Sequence, residues 1–298
     1  MKTKLLLVLT ATLVFSSCKK DEKIDPMQII AFADKNVEYI CLQNFDANHD
    51  GILTIDEALA VTSLGNVFQN NDMIMKFGEL VNFKGLTAID EKAFSGCVNL
   101  HTITIPDNVV SIGNEAFRNC DLSSGITFIG AGVKEIGEWA FSGCKFDVFD
   151  VPSSVTAIGK GAFQGCKKLW GFKKGLPEGL TDIEDYTFAD CVVLGGVNIP
   201  QGVCKIGKSA FANTAHEGLR LPEKLEIIRD YAFSNCSQLV NISSSNPEPP
   251  MLGKGVFDGS PIKEVYVLES SIADYESTDG WSDFAGCYRP LINDPWDL

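Results

Sequence analysis

Residues 89–97 read IDEKAFSGC, residues 112–120 read IGNEAFRNC and residues 136–144 read IGEWAFSGC. The spacing continues along the chain. Phe94, Phe117, Phe141, Phe163, Phe188, Phe211, Phe233 and Phe257 are separated by 23, 24, 22, 25, 23, 22 and 24 residues. Five positions before each stands Ile89, Ile112, Ile136, Ile158, Ile183, Ile206, Ile228 or Leu252. Ala precedes the Phe except at Thr187 and Val256, and three positions after it come Cys97, Cys120, Cys144, Cys166, Cys191, Thr214, Cys236 and Ser260. An apolar-Pro pair recurs between these blocks, as in Ile105-Pro106, Val151-Pro152, Ile199-Pro200 and Leu221-Pro222.

A unit of about 23 residues cannot bury its own apolar face, so such units must stack, each Ile, Ala and Phe packing on its equivalent in the next coil. Leu100, Ile103 and Ile105 alternate with His101, Thr102 and Thr104, which predicts a short half-buried strand. Pro106 has no amide to donate and ends it. Glycine after the Ile, as at Gly113, Gly137, Gly159 and Gly207, permits a tight corner. The Ala-Phe-x-x-Cys step is read as a single helical turn with Phe inward. The predicted fold is a solenoid of short strands and turns, mainly β. Ten cysteines would ordinarily suggest a disulfide framework. Six of them share one repeat position, which favours a column of small buried thiols over bridges.

The pattern I-x-x-I-G-x-x-A-F-x-x-C resembles the BspA-like leucine-rich repeats of surface proteins from oral and gut bacteria. The resemblance covers about residues 77 to 290. It implies a right-handed leucine-rich-repeat coil with one strand-bearing face. Val265-Tyr266-Val267, Ser271 to Tyr275, Trp281 and Phe284 look like that family's closing unit, in which Tyr275, Trp281 and Phe284 cover the last coil's core. It also implies host proteins, other bacteria or the extracellular matrix as partners, an inference by analogy.

Ahead of the repeats the chain carries an address. Lys2 and Lys4 precede an apolar run, Leu5 to Phe15, too short to span a bilayer, and Ser16-Ser17-Cys18 follows. This resembles a bacterial lipobox, in which cleavage leaves Cys18 as an acylated N-terminus. Phe15 stands where Leu is usual, and an ordinary signal peptide with an incidental Cys is the alternative. Lys19-Lys20-Asp21-Glu22 looks like the charged signals that send lipoproteins of the Bacteroides group to the outside of the outer membrane; a solvated tether fits the same residues. The expected organisation is a signal peptide over 1–17, a lipidated tether over 18–28, a helical cap over 29–76, the solenoid over 77–290 and a tail over 291–298. The expected location is the outer membrane, lipid-anchored and surface-exposed, with a periplasmic-facing chain as the alternative.

Within the cap, Ile29, Ile30, Phe32, Ala33, Val37, Ile40 and Cys41 fall at mostly helical spacing. The loop Asp46 to Glu57 that follows matches EF-hand spacing at each ligand position. Asp46, Asn48 and Asp50 would offer side-chain oxygens and Ile52 its carbonyl. Thr54 would act through water, and Glu57 would close the site with two oxygens. Gly51 makes the sharp turn and Leu53 points to the core. The expected cofactor is Ca2+ in a structural role, clipping a helix-loop-helix cap to the first coil; the alternative is a loop held by Asx turns alone. EF-hands usually pair and dockerin-like modules need two loops, so a cellulosomal role is disfavoured.

The chain has 298 residues, 45% of them hydrophobic and 21% charged, with a net charge of −14. An acidic surface repels phosphate backbones, which argues against nucleic acid as a partner. His49, His101 and His216 are the only histidines, too few and scattered for a histidine metal centre or relay. No G-x-S-x-G, H-E-x-x-H, Walker loop or C-x-x-C occurs, so no enzyme is expected. Binding is the better use of stacked rows of side chains. Outward candidates are Trp170, Arg220 and Tyr266 in the strand register, and Trp139, Tyr186 and Tyr231, which share the position two before the Phe. The expected function is a cell-surface lipoprotein that binds a protein or cell-surface ligand through the repeat face. The alternatives are glycan capture beside a nutrient transporter and an envelope structural role.

Overall fold

The computed structural model describes residues 28–293. The signal peptide, Cys18, the tether up to residue 27 and residues 294–298 lie outside the described residues. The repeat phenylalanines form one column through the molecule. It begins at Phe68, one coil before the first repeat read from the sequence, and runs to Phe257. Successive rings stack 5.1 to 5.9 Å apart, tilted by no more than 25°. Phe68 to Phe233 are fully buried and Phe257 nearly so. The chain is a solenoid of about nine coils around this column.

Three backbone systems join coil to coil. The first is a parallel ladder formed by the alternating strands: Lys76–Phe77, Thr102–Ile105 and Ile126–Phe128; then Val148–Phe149 and Gly171–Phe172; then Gly218–Leu221, Asn241–Ser244, Glu264–Val267 and Tyr288–Pro290. The second is a ladder of two-residue strands at the Ile column, from Ala88–Ile89 to Ala157–Ile158 and from Asp182–Ile183 to Met251–Leu252. The resemblance implied one strand-bearing face; the coil has two, because the corner at the Ile column also aligns backbone groups for parallel pairing. In the third system, the turn amides bond across coils: Phe94 donates to the Ala116 carbonyl at 2.8 Å, Phe163 to Thr187 at 2.9 Å and Phe233 to Val256 at 2.9 Å. This column runs unbroken past the points where both ladders stop.

The turn is not the helical turn expected from its spacing. The residue two before each Phe and the residue two after it both have positive φ, from Lys92 (58°) and Gly96 (77°) to Gly255 (59°) and Gly259 (73°). The second position is Gly, Asn or Asp in every repeat, as the left-handed region favours. The first is not, and it includes Trp139 (57°), Tyr186 (60°) and Tyr231 (58°).

The cap has two helices around the loop, but Ile29, Ile30, Phe32 and Ala33, expected at helical spacing, lie ahead of the first helix, where Ile29 forms an extended bridge to Thr54 instead. Helix α1 (Lys35–Phe45) and helix α2 (Ile55–Ala60) flank the loop, and Val37, Ile40, Cys41, Leu53 and Ala58 join the solenoid core. Phe32 and Phe45 reach Phe77 and Phe83 at 6.4 and 5.9 Å between ring centres. At the other end Trp281 and Phe284 pack on Phe257 at 5.9 and 5.7 Å. Buried Tyr275 donates to Ser244 Oγ at 2.9 Å, and Trp281 Nε1 donates to the Pro250 carbonyl at 2.8 Å. Both ends of the apolar column are thus covered, as a solenoid requires.

Candidate functional site

The EF-hand-like loop is built by two helix ends. Asp46 follows α1, and Thr54 caps α2 in a reciprocal pair with Glu57. The loop oxygens face the loop's own donors. Asp46 accepts from the His49 and Gly51 amides at 2.8 and 2.9 Å, Asn48 from Asp50 at 2.9 Å and Asp50 from Ile52 at 2.9 Å. Glu57 accepts from the Ala47 amide at 3.1 Å and from the Thr54 amide and hydroxyl at 3.0 and 2.8 Å. Extended backbone at Leu53 also needs a partner, and it finds one in the cap: the Ile30 amide donates to the Leu53 carbonyl at 2.9 Å, beside an antiparallel bridge between Ile29 and Thr54. The donor set is all oxygen, which fits a hard cation such as Ca2+. As placed, however, the side chains serve the Asx turns, and among the described residues no three His, Cys, Asp or Glu side chains are grouped to hold a metal.

The surface candidates separate into two places. Trp170, 59% exposed, immediately precedes the strand Gly171–Phe172 on the first ladder, and Arg220 is exposed on the same face. Tyr266 is a correction: it is 6% exposed. Its strand lies between two others, with Ser243 and Arg289 as register partners, and its hydroxyl donates to Glu264 at 2.5 Å. With its ring covered and its hydroxyl engaged, Tyr266 is no docking anchor. Trp139, Tyr186 and Tyr231 are half-buried at the turn column, not on the strand face.

The sequence reading missed a groove. The first ladder is interrupted where residues 195–200 carry no strand, between Gly171–Phe172 and Gly218–Leu221. A cavity of 580 Å³ opens there, lined by Glu178, Asn198, Gln201, Glu217 and Arg220 over the bare backbone of Gly195 and Gly196. The signal was the Gly-Gly pair at a strand position, since glycine weakens strands and marks close backbone approach.

One gathering mimics a catalytic relay. His101 Nδ1 stands 3.0 Å from Asp121 and 3.4 Å from Ser123 Oγ. A relay needs acid and nucleophile on opposite ring nitrogens, whereas both groups here meet the same one. Lys145 also holds Asp121, at 3.0 Å.

The repeat geometry has known counterparts. The BspA type leucine rich repeat region matches residues 87–174 and 173–278, in six copies. The chain belongs to this family. The BspA-type match indicates no catalytic family and accords with a binding scaffold. Among solved structures, a leucine-rich repeat protein from Bacteroides ovatus is 28% identical, with 70% of this chain and 59% of that one covered and a TM-score of 0.53. A leucine-rich repeat protein of T. pallidum is 27% identical, with 59% of this chain and 71% of that one covered and a TM-score of 0.38. This BspA-type chain thus spans 59% of the Bacteroides ovatus protein's length. No curated protein matches it.

Proposed function

We propose that this chain is a lipid-anchored cell-surface protein that docks a protein partner on its first-ladder face. The observation that carries the reading is the interruption of that ladder at residues 195–200. It sets a 580 Å³ polar groove containing Arg220 on the same face as exposed Trp170. Trp and Arg are the side chains most often found as interface anchors, and a coiled scaffold holds them rigidly. Affinity capture with residues 19–298 from host and bacterial lysates tests it. A specific partner should be retained, and Trp170→Ala with Arg220→Ala together should release it. Capture unchanged in that double variant would overturn the assignment of the face. For the anchor, labelled palmitate should enter the full chain expressed in a bacterium and be lost on Cys18→Ala.

Calcium belongs to the same proposal as a clip for the cap. A lone extracellular loop binds in the range of roughly 10⁻⁴ to 10⁻³ M, so a few millimolar Ca2+ should stabilise the folded chain by about 1–2 kcal/mol. Thermal unfolding with Ca2+ and with chelator reads this directly. Equal melting temperatures would leave the loop as an Asx-turned connector.

A further inference from the structure

Residues just before the repeat Phe carry a second, longer period. Over six consecutive coils the pair at three and two positions before Phe reads Glu138-Trp139, Lys160-Gly161, Asp185-Tyr186, Lys208-Ser209, Asp230-Tyr231 and Lys254-Gly255. An acid with an aromatic ring alternates strictly with a lysine and a residue that is almost or wholly without a side chain. The turn amides that stack these coils are continuous, so all six pairs lie in one column along the edge of the solenoid.

The structure shows what the small residues do. Trp139 lies across Gly161 of the next coil, where a Cβ would collide with ring atoms Cε3 and Cζ3. Tyr231 does the same at Gly255, where a Cβ would stand 2.7 Å from Cε1. Tyr186 precedes Ser209 in the same pattern and has the Lys160 ammonium 5.5 Å from its ring centre. Each ring is half-buried, and every residue of the charged column keeps solvent exposure. The three aromatics hold positive φ, which bulky side chains rarely adopt. The turn itself does not need an aromatic there, since Lys92 and Ser209 take the same conformation.

From this we infer that the column is a binding track for a neutral, unbranched polysaccharide with a two-sugar repeat. Three observations select that class. Ring platforms laid along a surface suit the apolar faces of sugar rings, as they suit any flat partner. Their interval is two coils, about 10 Å at the spacing of paired strands, commensurate with a disaccharide of a β-linked chain. The flanking charges cancel, three acids against three lysines, although the chain as a whole carries −14. Such a strip neither attracts nor repels a neutral polymer and offers alternating acceptors and donors to its hydroxyls, whereas a polyanion would face the net charge of the molecule. One oxygen each of Asp185 and Asp230 holds the next coil's amide, at 2.7 and 2.8 Å, which fixes the acids in place beside the rings. The track lies on a different edge from the protein-docking face and does not depend on it.

Native gel electrophoresis of residues 19–298 through gels containing hydroxyethyl cellulose or glucomannan tests the inference, with heparin and polygalacturonate as charged controls. Retardation by a neutral β-1,4-linked polymer is expected. Each single change, Trp139→Ala, Tyr186→Ala or Tyr231→Ala, should weaken it by about three- to tenfold, and the triple change should abolish it. The triple Phe variant separates platform from packing, because it keeps rings at all three positions and should still bind. Trp170→Ala should change nothing here, which distinguishes this track from the protein-docking face. Retardation by neither neutral polymer, retardation by polyanions only, or equal retardation of the triple Ala variant would each overturn it.

Discussion

The Phe117 carbonyl accepts the Cys120 amide of its own coil at 3.0 Å and the Cys144 thiol of the next at 3.1 Å. The arrangement repeats: Cys97, Cys120, Cys166, Cys191 and Cys236 donate to Phe68, Phe94, Phe141, Phe163 and Phe211 at 3.0 to 3.2 Å. Ser260 takes the same role toward Phe233 at 2.7 Å. The recurrent Cys is therefore a buried donor that ties one coil to the last, and burial pushes the Cys144 thiol far above its ordinary pKa. Cys144→Ala should cost about 1–2 kcal/mol through the lost bond and the small void, and Cys144→Ser should cost less, as read by urea unfolding. Among the described residues, folded protein treated with iodoacetamide should be modified at half-buried Cys204 and Cys287 and not at the buried cysteines; labelling of the column before unfolding would contradict the packing. His216 makes a pH prediction. It is 1% exposed, against the Phe211 ring and Thr214 Oγ1, and burial pushes its pKa down to about 4. The unfolded chain, near 6.5, then binds the proton that the folded chain refuses. The stabilisation is complete above about pH 6.5 and is lost as pH falls toward 4, by up to ~3 kcal/mol. His216→Leu, the residue type found at the equivalent Leu169, Leu194 and Leu239, should flatten the melting temperature between pH 7 and 4.5 relative to the parent.

At the scale of elements, one carboxylate bridges the start of α1 and the start of the first ladder. Asp34 caps α1 through the Asn36 amide at 2.9 Å, and its other oxygen takes the Met75 and Lys76 amides at 2.6 and 3.2 Å, at the start of the first ladder. Burial opposes its ionisation, but the backbone amides around it outweigh that, and its pKa lies below the ordinary value. Asp34→Ala should therefore destabilise by about 1–3 kcal/mol, with amide exchange rising first in residues 29–62. Uniform exchange along the chain would mean that the cap does not unfold separately. The EF-hand-like loop was legible as a helix-loop-helix from its spacing. That its lone extended edge is paired by Ile29 and Ile30 was not, because nothing local links segments separated by the whole of α1.

For the whole molecule, stability rests on a continuous apolar column whose ends must be closed. Ending the chain after Val267 removes Tyr275, Trp281 and Phe284 and uncovers Phe257. Such a truncation should melt earlier and elute as oligomers in size-exclusion chromatography. A monomer with unchanged melting would show that the closing unit is dispensable. The three inter-coil systems also differ in continuity. Both ladders break, the first between Phe128 and Val148 and again around residues 195–200, the second between Ile158 and Asp182, while the turn column does not. The coil is held in register by its Ala-Phe turns more than by its strands.

Amino-acid order alone determined that the chain is a stack of Phe-centred coils with a capped start and a closed end. A short period imposes identical neighbours, and identical neighbours leave only stacking as a way to bury Ile, Ala and Phe. Tertiary structure decided the rest. Tyr266 is covered because Ser243 and Arg289 flank it on the neighbouring strands and Glu264 takes its hydroxyl, and the groove at Gly195–Gly196 exists because the coils around it do not pair there. The aromatics before Phe form one edge because left-handed turns align them, with Trp139 and Tyr231 laid over the next coil's glycine. Each depends on what stands one coil away, roughly 23 residues along the chain, beyond the reach of any local reading.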